Sequence, residues 1–229
     1  MSVPAVLEPR TTLEARARQS LGSSHDAIYR MVDAALDARG IRGGRLIDVG
    51  CGGGSLWRVL QPRFTSYCGV DAVRYEGYPA GADFRQVDLD SRDWPLSARQ
   101  ADVVAAVETI EHLENPWAFV RSLVRLARPG GWVVVTTPNQ LSALSLLTLL
   151  TKARFSAFQD AHFPAHRTAL LETDLRRQAA EAGLENVAIA YSLHGRLPLT
   201  PWHYPRAVAR LAPRPLSDNL LMIGRVPRE

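Results

Sequence analysis

The chain has little lysine, little cysteine and no long apolar run, and each shortage removes a class of protein. Lys152 is the single lysine among 27 basic residues, so the net charge of +4 rests on arginine. Such a bias reflects composition as readily as function and does not by itself indicate a polyanionic partner. Cys51 and Cys68 are the only cysteines. One pair at that spacing fits neither a disulfide framework nor a zinc motif, and both read as small buried residues. No stretch reaches the roughly 18 uninterrupted apolar residues of a membrane span. From Met1 to Ser20, charged residues and prolines such as Pro4, Glu8, Pro9, Arg10 and Glu14 break up anything like a secretory signal. The expected compartment is the cytoplasm, and residues 1–22 are expected to be a flexible N-terminal segment.

What is present suits one folded unit. With 229 residues, 46% of them hydrophobic and 22% charged, the chain lies within the size range of a single α/β domain, expected over residues 23–229. Ser24 to Arg39 places Ile28, Met31, Val32, Ala35 and Leu36 on one helical face, with Ser23 and Asp26 as a capping box. A short apolar strand, Arg45-Leu-Ile-Asp-Val, then meets a glycine cluster and a helix from about Ser55 to Leu60, which Pro62 helps to end. Further strands are expected at Ser66 to Val70, Asp83 to Val87, Asp102 to Val107 and Trp132 to Thr136, all short and apolar as in buried parallel sheets. Asn115 as cap and Pro116 at the first position open a helix buried through Phe119, Val120, Leu123, Val124 and Ala127, which Arg128-Pro-Gly-Gly stops. A helix ending at Ala182-Gly183 and strands at about Val187 to Tyr191 and Asn219 to Val226 complete the chain. Alternating strands and helices imply right-handed crossovers, hence a doubly wound α/β fold.

The chemistry is expected where the first strand meets its helix. In Asp48-Val-Gly50-Cys51-Gly52-Gly-Gly54 the backbone can turn sharply and approach a ligand without Cβ obstruction. Ligands of open parallel sheets sit beyond the carboxyl ends of the strands, and Asp71 falls at the end of the second strand, placed to accept both hydroxyls of a ribose. A dinucleotide fingerprint asks for glycine or alanine where Ser55 stands, and a nicotinamide oxidoreductase pair Tyr-x-x-x-Lys is absent. Here the chain resembles the class I S-adenosylmethionine-dependent methyltransferases, whose first motif is an acid followed by alternating glycines. Val87-Asp88-Leu89 resembles their adenine-contacting segment, Val107-Glu-Thr-Ile-Glu-His-Leu-Glu-Asn-Pro their fourth motif, and Arg128-Pro-Gly-Gly-Trp extends the likeness.

The resemblance implies a seven-stranded Rossmann-like sheet, mostly parallel with an antiparallel last strand. It implies S-adenosylmethionine as cofactor and S-adenosylhomocysteine as product, with Asp48, Gly50, Cys51, Gly52, Gly54, Asp71, Ala72, Asp88, Leu89 and Val107 at the cofactor. Over residues 40 to 140 the fourth motif is similar to the branch that includes the ubiquinone-biosynthesis O-methyltransferases, which implies a small-molecule acceptor methylated at a hydroxyl. Methyl transfer needs alignment and, for a hydroxyl, a base. His112, near the end of the fourth strand, is the expected base, with Glu108 beside it.

Glu108, Glu111 and His112, with His162 or His166, are also similar to the metal-binding set of small-RNA 2′-O-methyltransferases. That spacing also occurs in metal-free relatives and no RNA-binding module is appended, so no metal site and no nucleic acid are expected; a cofactor-binding protein without turnover is the other alternative. Two insertions, about 139–167 and 192–218, are expected on the acceptor side. The first carries His162 and His166, and its apolar Leu141 to Phe158 reads as a pocket cap, a core or dimer contact, or a peripheral membrane contact. The second carries Trp202 and Tyr204 as acceptor-lining aromatics. A monomer or homodimer is expected.

Overall fold

Along the central strands, successive side chains enter two different cores. In the computed structural model, which describes residues 22–91 and 93–228, the strands are β1 Arg45–Val49, β2 Ser66–Asp71, β3 Asp83–Gln86, β4 Ala101–Ala106, β5 Ala127–Pro138, β6 Glu185–Tyr191 and β7 Asn219–Arg225. Ile47, Val49, Val104, Ala106, Val133 and Val135 face one core, while Leu46, Val103, Ala105 and Val134 face the other. Period-two alternation of apolar residues on both faces is what a strand covered on both sides requires.

Helices supply the two covers. On one face lie α1 Asp26–Asp37 and α2 Ser55–Leu60, which bury Ile28, Val32, Leu36, Leu56 and Leu60. On the other lie α3 Pro116–Leu126 and α5 Glu172–Glu181, which bury Phe119, Val120, Leu123, Leu175 and Ala179. Side chains such as Leu36 and Phe119 each contribute about 1.5–3 kcal/mol of burial. Between and after these come α4 Ala143–Lys152 and α6 Arg206–Leu211.

The seven strands run in the order β3-β2-β1-β4-β5-β7-β6, and β7 is antiparallel to both its neighbours. This is the doubly wound sheet implied by the sequence. Chain order reverses between β1 and β4, which pair in parallel with Leu46 opposite Val103. The crevice beyond the carboxyl ends of these strands is where such sheets bind ligands.

Several local expectations are corrected. His25, not Ser23, caps α1, its Nδ1 accepting from the amide of Ala27 at 3.2 Å. Arg128-Pro-Gly-Gly does end α3, but it already belongs to β5, with a register irregularity between Ala101 and Val103. In α4 the reading as a core contact is corrected: Ser145 and Thr148 are buried, whereas Leu146, Leu149 and Leu150 are exposed, Leu150 at 85%. The inward serine is held by polar contacts, accepting from the amide of Ser156 and donating to Gln140. Residues 1–21 lie outside the described residues. No described helix is long and apolar enough to cross a membrane.

Candidate active site

The glycine cluster is folded around contacts that leave no room for side chains. Gly50 adopts φ 74°, and a Cβ there would lie 2.1 Å from the Thr109 hydroxyl; at Gly52, φ 50°, it would lie 2.1 Å from the carbonyl oxygen of Gly22. The Gly52 amide donates to Oδ2 of Asp71 at 2.8 Å, and the Ala72 amide donates to Oδ1 at 2.7 Å. Thus the end of β2 is tied to the turn after β1. Burial pushes the Asp71 carboxyl up, and the donors at Gly52, Val73 and Ala72 oppose that rise. Asp48, inside β1, is 1% exposed and receives the Tyr67 hydroxyl at 3.1 Å. Burial pushes Asp48 up to about 7, with the Tyr67 hydrogen bond opposing and nearby Asp71 adding to the rise.

A cavity of about 520 Å³ opens beyond these strand ends, a size suited to a small ligand. Asp48, Gly50, Cys51, Gly52, Asp71, Ala72, Asp88, Leu89 and Val107 all line it. Gly54 is not in the lining; at φ 74° it is the residue from which α2 begins. Ser24, His25, Ile28 and Tyr29 from the start of α1, together with Tyr75, Thr109 and Asn219, also line the cavity. Thr109 lies within the fourth motif quoted from the sequence, whereas the others carry no local motif that would have marked them.

The opposite wall is built from the segment after β4. Glu108 takes a left-handed backbone, φ 49°, a conformation that costs a non-glycine residue on the order of 1 kcal/mol or more. Three contacts hold it there. Its amide donates to Thr136 Oγ1 at 3.0 Å, the Thr136 hydroxyl donates to Oε1 at 2.9 Å, and the Asn219 amide donates to Oε2 at 2.7 Å. Glu111 lies in a 3-10 turn, Ile110–His112, is 1% exposed and accepts from the Thr137 hydroxyl at 3.2 Å. Burial raises both carboxyls, and Glu111 raises Glu108 further.

His112 closes this turn and meets the first insertion. The amides of Arg167 and Thr168 both donate to the Glu111 carbonyl, at 2.9 and 3.0 Å, which brings His162 and His166 to the same cavity. The His112 and His166 rings lie 4.8 Å apart edge to face, and His162 stacks on His166 at 5.4 Å. Burial keeps His166 neutral, pushing it down to about 4, with His112 adding to the effect. Residues 141–158 are absent from the lining, so α4 does not cap the cavity.

Trp202 and Tyr204 are likewise absent from the lining, and Trp202 is 72% exposed. Their loop instead reaches the rim through a row of imidazoles: His203 tilted against His194 at 3.9 Å, and His194 stacked on His25 at 4.5 Å. The proline-rich spacing that suggested an acceptor wall is satisfied by this packing and by the bridge between Arg196 and His203.

The charge of the cavity inverts that of the chain. Its lining holds Asp48, Asp71, Asp88, Asp90, Glu108 and Glu111, and no described lysine or arginine. A methyltransferase-domain family model matches residues 23–189. The chain belongs to that family. This methyltransferase is similar to the ubiquinone biosynthesis O-methyltransferase of Pseudomonas aeruginosa, 27% identical over 170 residues that cover 70% of this chain and 73% of the relative. It is 29% identical to that of Bordetella pertussis over 160 residues, covering 65% of each. Among solved structures, a chain from the complex of the Haloferax volcanii Trm112 methyltransferase activator matches its fold with a TM-score of 0.65 at 18% identity, covering 98% of this chain and 100% of the other.

The cofactor of this methyltransferase is S-adenosylmethionine, a cation at sulfur. The cavity fits it on chemical grounds. A lining rich in acidic side chains, with no lysine or arginine among its described residues, suits a sulfonium and opposes a pyrophosphate, and the apolar lining of Leu89, Ala72 and Val107 suits a base.

Proposed function

We propose that this methyltransferase moves the methyl group to a hydroxyl oxygen of a small molecule. The observation that carries the reading is at His112, whose Nδ1 lies 2.9 Å from the carbonyl oxygen of Ala165. A carbonyl only accepts, so this contact keeps the proton on Nδ1 and makes Nε2 the basic nitrogen. The oxygen acceptor agrees with the name of the relatives at 27% and 29% identity.

The turn backbone at Gly50 and Gly52 would hold the methionine part, Asp71 the ribose hydroxyls, Asp88 the adenine amine, and Leu89 the face of the ring. When bound, S-adenosylmethionine supplies a methyl group that passes to the acceptor oxygen while sulfur keeps the electron pair of the broken C–S bond. His112 takes the hydroxyl proton at Nε2. Glu108 is a positioning residue: both its oxygens are engaged by Thr136 and Asn219, which fixes the floor of the acceptor side. A phosphate-rich acceptor such as RNA would meet a lining rich in acidic side chains, with no lysine or arginine among its described residues, so a small acceptor is favoured.

The test is transfer of labelled methyl to a panel of phenols and alcohols, by the wild type and by His112→Gln. Turnover on at least one hydroxyl, lowered by about 10²-fold or more in the variant while S-adenosylhomocysteine still binds, supports the reading. Turnover confined to nitrogen or carbon acceptors, or cofactor binding with no turnover at all, contradicts it.

A further inference from the structure

The start of α1 and the second insertion border a second cavity, of about 440 Å³. Ser24 and His25 line both cavities, so the two meet at the N-cap of α1. The charge of the second is the reverse of the first. Arg30 and Arg206 line it beside His25 and His194, and Asp26 is the one acid among its described lining residues. Arg30 reaches Asp26 at 3.6 Å through one guanidinium nitrogen, with both side chains largely exposed, which makes the pair a weak one. Arg206, the first residue of α6, forms no ion pair with a described residue. A guanidinium without a carboxylate partner keeps its full fork of donors for an anion.

The row of imidazoles adds to this basic wall. His194 stands in the middle, 4.5 Å from the His25 ring and 3.9 Å from the His203 ring. Both ends of the row are fixed by backbone: His25 Nδ1 accepts from the Ala27 amide, and the Tyr204 amide donates to the Gly195 carbonyl at 2.9 Å. Because Nδ1 of His25 is an acceptor, its proton sits on Nε2, which remains a donor. His194 is held below the ordinary imidazole range by burial, then by His203 and His25, with Arg206 adding to the effect. Two acids face the row. Asp26 is shared with Arg30, and Asp218, which lies near His203, accepts from the Arg196 amide at 2.8 Å and is outside the lining. An anion seated among these groups would turn their mutual repulsion into attraction.

We propose that the second cavity holds an anionic group of the methyl acceptor, a carboxylate or a phosphate monoester, between Arg206, Arg30 and His194. The inference rests on the hydroxyl-transfer reading and narrows it: the acceptor is a hydroxy acid or a phosphorylated alcohol, its hydroxyl end in the first cavity and its charged end in the second. Gly50, Gly52 and Asp71, which the cofactor would occupy, do not line the second cavity, whereas the first cavity, with His112 in its lining, meets it at Ser24 and His25. The division of charge orients the acceptor. Acids in the first cavity turn the anionic end away, and the arginines of the second draw it in. Arg206 and Arg30 touch no reacting atom, so they act on acceptor choice. Binding takes up a proton at the imidazole row, and affinity for an anionic acceptor rises as pH falls.

The experiment titrates the full chain, saturated with S-adenosylhomocysteine, by calorimetry with para-hydroxybenzoate, para-hydroxyphenylacetate and para-hydroxyphenyl phosphate, and with the neutral amides of the two carboxylic acids. Arg206→Gln, Arg206→Lys and His194→Gln are titrated in parallel, and melting curves verify that each variant is folded. At least one anionic compound is expected to bind about tenfold or more tightly than the amides, with that preference lost in Arg206→Gln and His194→Gln and partly kept in Arg206→Lys. Its affinity should fall from about pH 6 to about pH 8, with proton uptake read from heats in buffers of different ionisation enthalpy. Affinity for S-adenosylhomocysteine should be the same in all three variants. Equal or absent binding of anions and amides by the wild type overturns the proposal, as does a preference untouched in Arg206→Gln and His194→Gln. A fall in S-adenosylhomocysteine affinity in Arg206→Gln also overturns it, because the anion held is then the carboxylate of the cofactor's methionine part. These titrations need no turnover, so anion binding can succeed where the hydroxyl reading fails, and that reading is judged separately by which acceptor atom is methylated.

Discussion

The Asn219 amide donates to Oε2 of Glu108 at 2.7 Å across 111 positions of sequence, joining the first residue of β7 to the turn after β4. It is one of three contacts that keep Glu108 in a left-handed conformation with its carboxyl buried. Replacing Asn219 with alanine removes a donor from a buried acid, which should destabilise the fold by about 1–3 kcal/mol. Urea denaturation measures this. Asn219→Ala combined with Glu108→Gln should lose less than the two single changes added together, because the neutral amide no longer needs that donor.

Asp48 gives the stability a distinct pH dependence. Its carboxyl is raised from 3.8 to about 7 by burial, so between those values the folded protein holds a proton that the unfolded chain has released. Stability present at low pH is therefore lost as pH rises through that window, by roughly 4 kcal/mol for this group alone. Asp48→Asn keeps the neutral form at every pH. Its stability relative to wild type should rise from pH 4 to pH 7 in denaturant titrations, and a constant difference would contradict the assignment.

The glycine turn should be intolerant of even one methyl group. Gly52→Ala places a Cβ 2.1 Å from the Gly22 carbonyl oxygen at a φ of 50°, so the turn must shift away from Asp71. Affinity for S-adenosylhomocysteine should fall at least about tenfold, an effect of at least 1.4 kcal/mol. Equal affinity by calorimetry would show that this turn does not shape the cofactor site.

The leucines of α4 should matter little to folding. Leu146, Leu149 and Leu150 are 38%, 36% and 85% exposed. Changing Leu150 to serine should therefore alter stability by no more than about 0.5 kcal/mol. A loss of several kcal/mol would mean that this face is covered in solution.

The succession of strands along the chain, the glycine turn and the acids that follow β2 and β3 are legible in the sequence because each is written locally: short apolar runs, a glycine cluster after a strand, an acid at a strand end. Helix α3 is legible for the same reason, Asn115 accepting from the Ala118 amide at 3.0 Å ahead of Pro116. What stays hidden depends on contacts between distant segments. His25 reaches the cavity only because α1 packs over the glycine turn, and Asn219 only because β7 inserts beside β5. The composition of α4 misleads because leucines imply burial on average, yet here Ser145 and Thr148 meet polar partners inside. Trp202 and Tyr204 show the same limit, for an aromatic loop of this kind is satisfied by packing at a rim as well as inside a pocket.

The central claim is that the cavity at Gly50, Gly52 and Asp71 binds S-adenosylmethionine. Calorimetric titration of wild type and Asp71→Ala with S-adenosylmethionine, S-adenosylhomocysteine and NAD tests it most directly. Binding of both sulfur nucleosides to the wild type, most of that affinity lost in the variant, and no binding of NAD are predicted. Binding of NAD alone, or sulfur-nucleoside affinity unchanged by the loss of Asp71, would contradict the account.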